Sequence, residues 1–147
     1  MKEIYSQFQL SCEIAEVKPL KIGHINDSYT LWGVGESDES YFLQRINHNI
    51  FKDVEGLQRN IKIVTDHIRA KLIREGVENV AQRVMQLVPT HDGKLYYHDK
   101  DGNYWRVYVN IKNTHSYDQI TPELAYEAGV AFGNFQMQLV DVPKENM

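Results

Sequence analysis

Residues 53–76 hold the pattern that most restricts this chain. Val54, Leu57, Ile61, Val64, Ile68 and Leu72 recur at spacings of three and four, while Lys62, Asp66 and Arg69 fall opposite. That period puts one apolar stripe along an α-helix of about six turns. Asp53 stands where an N-cap belongs and Gly76 where the helix ends. A helix this long, apolar on one face only, needs a layer to lie against. The rest of the chain must provide it.

The segments before the helix read as that layer. Residues 1–10 predict a short helix with Ile4 and Phe8 on one side. Ile14–Leu20 predicts a strand broken at Pro19, residues 28–34 (SYTLWGV) a second and residues 41–46 (YFLQRI) a third. Gly23, His24, Ile25, Asn26 and Asp27 are turn chemistry, and residues 35–40 form an acidic turn. After the helix, residues 80–88 predict a strand closed by Pro89. Residues 95–98 and 104–111 predict two more, joined through Asp99 to Asn103, where Asp101-Gly102 marks a hairpin. Residues 110–120 are a polar loop.

A final helix begins at Thr121-Pro122-Glu123, with cap, N1 proline and first-turn acid in order, and runs to about Val142 before Pro143. Leu124, Ala128, Phe132, Phe135 and Leu139 make one stripe on it. Tyr126, Val130, Gly133 and Met137 make a second. A helix apolar on two sides expects cover on two sides, more than the preceding elements provide. The expectation is a partner or further polypeptide on that helix, and self-association through it.

The bulk properties exclude some classes. A length of 147 residues is one domain or part of a larger one, and 42% apolar with 24% charged residues is ordinary for a globular protein. A net charge of −4 with scattered Lys and Arg argues against a nucleic-acid face. The one cysteine, Cys12, cannot form an internal disulfide and reads as a small core residue in a reducing compartment. No run is long enough for a membrane span, and acids interrupt the N-terminal segment where a signal peptide is apolar; the expectation is a cytoplasmic protein. His91 and His98 flank a hairpin without acidic or thiol partners at metal spacing, so a zinc site is not expected.

The ordered set GHINDSYTL, YFLQRINHNIFKDVEGLQRNIKIVT, DGNYWRVYVNI, SYD (116–118) and AYEAGVAFGNFQ resembles the aminoglycoside-phosphotransferase family of small-molecule kinases, and within it the N-acetylhexosamine kinases that phosphorylate an anomeric hydroxyl. The likeness spans nearly the whole chain. It implies an α+β fold, the N-terminal lobe of a protein-kinase-like architecture. An antiparallel sheet of about five strands and one long helix would form residues 1–112. Residues 113–147 would be a connection and the first helix of a C-terminal lobe. The catalytic and metal-binding aspartates of such kinases lie in that lobe. The resemblance therefore implies an N-terminal fragment, a truncated form or a degraded gene product, inactive alone, of an ATP- and Mg2+-dependent sugar kinase. Homoserine, choline and aminoglycoside kinases share this lobe. A stand-alone binding module or pseudokinase remnant is the non-enzymatic alternative.

The resemblance also assigns roles. Gly23 to Tyr29 takes the place of the phosphate-covering loop, where small residues let backbone N–H groups reach phosphate oxygens. Gly23, His24, Asn26 and Ser28 are its nucleotide-binding candidates, and His24 is also a candidate for a sugar hydroxyl; an ordinary β-turn with a solvated histidine is the plain alternative. The third strand of a kinase carries a lysine or arginine paired to a helix glutamate. This chain departs from that, with Gln44 in the position and Asn60 on the helix, an amide pair replacing an ion pair. Alternation puts Gln44 and Arg45 on opposite faces, so only one can point at the nucleotide. Asn110, Ile111 and Lys112 are the candidates for reading the adenine edge through their backbone.

Overall fold

A computed structural model of the chain describes residues 1–20, 25–35 and 39–143. The fold is α+β: α1 (Lys2–Tyr5), β1 (Ile14–Leu20), β2 (Asp27–Gly33), β3 (Ser40–Ile46), α2 (Val54–Arg74), a 3-10 turn (Val80–Gln82), β4 (Leu87–Val88), β5 (Tyr97–His98), β6 (Tyr104–Val109) and α3 (Pro122–Gln138). The six strands form one sheet in the order β1-β2-β3-β6-β4, with β5 also on β6, and every pairing is antiparallel.

Alternation explains which face is core. Leu31, Tyr41, Leu43, Trp105 and Val107 share one face and are buried, with Phe8 and Val88 completing the cluster. Ile4, Tyr5, Leu10 and half-buried Cys12 from the N-terminal segment pack against it. The helix expected over residues 1–10 stops at Tyr5. Phe8 instead bridges to Thr90, and Gln9 N–H donates to the Pro89 carbonyl at 2.9 Å. The segment closes the core from below the sheet rather than as a helix.

Two other expectations need correction. Pro19 does not break β1. It pairs in register with Tyr29, because β1 is an edge strand and proline's missing N–H costs no ladder bond on the open side. Residues 80–88 are mostly not a strand. Asn79 takes a left-handed φ of 55°, and Gln82 N–H to Asn79 O (2.8 Å) with Arg83 N–H to Val80 O (3.0 Å) curls the segment into a 3-10 turn. Only Leu87 and Val88 join the sheet.

The helix starts form as their caps dictate. The Asp53 carboxylate accepts from Gly56 N–H at 2.8 Å, and the Thr121 hydroxyl accepts from Leu124 N–H at 3.3 Å. In the β5–β6 hairpin, Gly102 adopts φ 82°. Asp99 accepts there from Asn103 N–H (2.8 Å) and from the buried Trp105 Nε1 (2.7 Å).

The apolar stripe of α2 does not meet a finished layer. Leu57, Ile61, Val64, Ile68 and Leu72 line a groove of ≈ 880 Å³, whose other wall is Ala131, Asn134, Phe135 and Gln138 of α3. The two helices are tied at one end. Lys71 Nζ donates to the Gln138 carbonyl (3.1 Å) and to Asp141 (2.5 Å), and His67 Nε2 lies 3.1 Å from Asp141. No residue of α3 is buried; Tyr126, Phe132 and Met137 are 72%, 62% and 69% exposed. No helix among the described residues is long and apolar enough to cross a membrane.

Candidate functional site

The face of the sheet opposite the core carries a polar and aromatic surface in three cross-strand rows. The first is Trp32, Ser40 and Asn110. Trp32 pairs with Ser40, Asn110 N–H donates to Ser40 O at 3.0 Å, and Asn110 Nδ2 donates to Ser40 Oγ at 3.0 Å. The second is Thr30, Phe42 and Tyr108, with the last two rings stacked at 4.9 Å. The third is Ser28, Gln44 and Arg106. The first and third rows are four residues apart, about 13 Å along a strand.

A recess of ≈ 360 Å³ opens beside the first row, lined by Trp32, Ser40, Asn110, Ile111, Lys112, Asn113 and Thr114. The strand pattern ends here, at Val109, and the chain leaves in irregular conformation, with Asn113 at φ 56°. Lys112 N–H donates to Gln82 Oε1 at 2.8 Å, which anchors this connection to the 3-10 turn. All three residues expected to read an adenine edge thus stand at one recess, next to an exposed indole.

The third row holds the only charge that β2, β3 and β6 bring to this face; on the edge strand β1, Glu16 and Lys18 pair with Trp32 and Thr30 of the first two rows. Gln44 Nε2 donates to Ser28 Oγ at 3.0 Å. Its Oε1 accepts from Arg106 Nε (3.0 Å) and Nη2 (2.5 Å). The Arg106 guanidinium sits 6.0 Å from the Tyr108 ring centroid, a cation–π distance. Burial lowers the Arg106 pKa from its ordinary value, with Tyr108 acting in the opposite sense, and burial raises that of Tyr108. An arginine nonetheless stays charged. Among the described residues no carboxylate lies within ion-pair distance of it.

The amide pair expected between Gln44 and Asn60 is not formed. Gln44 is held by Ser28 and Arg106, and Asn60 lies in the α2–α3 groove, its Oδ1 without a hydrogen-bond partner. Register decides this: β6 lies beside β3 and brings Arg106 level with Gln44, so the Gln44 amide is already engaged within the sheet. Arg45 points to the other face, as alternation requires, and forms an exposed ion pair with Asp27. Asn26 stands at the mouth of β2, its Oδ1 accepting from Asn47 N–H at 2.8 Å; it pins the loop end rather than facing the rows. Gly23 and His24 lie outside the described residues. Arg106 is the residue that sequence reading passed over. The signal was a lone cation inside the otherwise uncharged strand YWRVYV.

No group of three or more His, Cys, Asp or Glu side chains among the described residues is arranged to hold a metal ion. No protein-family model matches the chain.

Proposed function

We propose that this chain is the nucleotide-binding part of an ATP-dependent phosphotransferase, with a protein-kinase-like N-terminal lobe and a sugar of the N-acetylhexosamine class as the phosphate acceptor of the whole protein. The observation that carries the reading is the arrangement on the sheet face opposite the core cluster. A recess edged by the backbone of residues 110–114 and by Trp32 suits a flat base, and a cationic row stands on the same face about one nucleotide length further along. The element order supports it: a three-stranded meander, one long helix, a strand pair returning beside β3, a polar connection, then a helix. In this reading Asn110, Ile111 and Lys112 present backbone groups to the base edge, and the strands position phosphate for transfer. The aspartate that accepts the acceptor's proton and the ligands for Mg2+ belong to polypeptide other than the described residues.

Calorimetric titration of the 147-residue chain with adenosine tests the base site. Saturable binding that weakens on Trp32→Ala is expected; adenosine that fails to bind at millimolar concentration removes the reading. A coupled ADP-release assay of the full-length gene product, with and without N-acetylglucosamine, tests the activity. Absence of turnover with any sugar or amino alcohol would count against the kinase assignment.

One feature favours a second reading, a non-catalytic interaction module. It is the wholly unburied α3, whose apolar side chains suit a partner surface.

A further inference from the structure

We infer that Arg106, on β6, is the cation that holds the phosphate oxygens of the bound nucleotide, a role the third strand cannot fill because its residue is Gln44. The inference rests on the nucleotide reading above and names the group that makes it work electrostatically.

Three observations converge on it. First, Arg106 is oriented. Two of its donors, Nε and Nη2, meet the single acceptor Gln44 Oε1, and Gln44 is in turn fixed by Ser28 Oγ. The Tyr108 ring limits the guanidinium on another side. An arginine so held loses little further freedom when a ligand arrives. Second, its charge is uncompensated. A half-buried guanidinium without a carboxylate partner among the described residues is partly desolvated at a cost, and an oxyanion beside it offsets that cost. Third, the polar neighbours leave donors over. Gln44 offers only an acceptor to the arginine, so Nη1 and the second Nη2 proton have no acceptor among the described residues. A pair of N–H groups on one planar group matches two oxygens of a phosphate.

The charge has moved from one strand to its neighbour. In this chain the amide of Gln44 stands in the centre of the row and steers, and the arginine beside it binds. The ligand group is a nucleoside di- or triphosphate's α- and β-phosphates, reached from a base seated four residues away on the same face.

The experiment compares adenosine, ADP and inorganic pyrophosphate binding to the unaltered chain, to Arg106→Gln and to Arg106→Lys, at low salt without divalent metal. Far-ultraviolet circular dichroism confirms that each variant is folded; Arg106→Lys keeps the charge should Arg106→Gln fail to fold. The unaltered chain is expected to bind ADP more tightly than adenosine. Arg106→Gln should weaken ADP binding by roughly 10- to 100-fold, leave adenosine unchanged and abolish pyrophosphate binding. Arg106→Lys should keep only part of the margin, because it offers one point charge without the fork. Added salt should shrink the margin in the unaltered chain and the part kept by Arg106→Lys, and leave Arg106→Gln unaffected. An ADP margin that survives in the folded variants overturns the assignment of Arg106 while the nucleotide reading stands. Pyrophosphate binding that depends on Arg106, in a chain that ignores adenosine, keeps the anion site and removes the nucleotide reading.

Discussion

Gln58 is 1% exposed on α2, and neither Nε2 nor Oε1 has a hydrogen-bond partner. A buried amide left unpaired costs about 1–3 kcal/mol, and exchanging it for an apolar group of similar shape is neutral or stabilising. Gln58→Met is therefore expected to raise the unfolding free energy by about 1 kcal/mol in urea denaturation. A loss of stability instead would mean that the amide is satisfied in solution. Asp99 is the opposite case. Burial pushes its carboxyl pKa up, yet hydrogen bonds from Trp105 and Asn103 outweigh this and the net shift is downward. Asp99→Ala strands the buried Trp105 Nε1 and removes the turn's internal acceptor. It should cost about 1–3 kcal/mol, read as a lower midpoint in thermal denaturation.

At the scale of elements, the start of α2 shows two local preferences in conflict. Glycine inside a helix is about 1 kcal/mol worse than alanine, yet Gly56 stands in the first turn. A Cβ there would lie 2.2 Å from Asp53 Oδ2 and 2.8 Å from its Cγ, in the space of the capping carboxylate. Gly56→Ala is thus expected to gain nothing in the native background and about 1 kcal/mol in Asp53→Ala, where no cap remains to lose. A double-mutant cycle with additive terms would refute this coupling. The caps, the meander and the hairpin were legible in the sequence because each is written within a few residues: Asp53, Thr121-Pro122, Asp101-Gly102, and the alternation in residues 28–34 and 41–46. The segment at 80–88 was misread because its β-branched residues suit a strand, while the left-handed Asn79 and two short-range bonds decide otherwise. The site was legible only by halves. Asn110, Ile111 and Lys112 come from the family resemblance, and the strand expected over residues 104–111 ends at Val109, before all three. The union of Ser28, Gln44 and Arg106 depends on strand register across 62 positions between the last two, which no local pattern encodes.

For the whole molecule, the attachment of α3 is the weak joint. Its polar tie is Asp141, whose carboxyl is held down to about 2 by the hydrogen bond from Lys71 first and from His67 second. A carboxylate with a depressed pKa stabilises the folded arrangement above its ordinary value of 3.8 and loses that contribution as pH falls toward 2. Amide exchange in residues 122–138 should accelerate over that window while β2, β3 and β6 stay protected. Uniform behaviour across the chain would show that the tie carries nothing. The same helix leaves Tyr126, Val130, Phe132 and Met137 exposed, with Val140 just beyond its end, so light scattering is expected to find concentration-dependent association, reduced by Met137→Lys. A clean monomer at high concentration contradicts it.

How such association would proceed also depends on one residue of the sheet. The sheet has two rims. One is made of the two-residue strands β4 and β5, each too short to template much, and the other is β1, where Pro19 leaves a gap in the row of amide donors. A neighbouring chain cannot extend the ladder past that gap. Strand addition at this rim is disfavoured by one pyrrolidine ring, so the association expected in light scattering is one through the exposed face of α3.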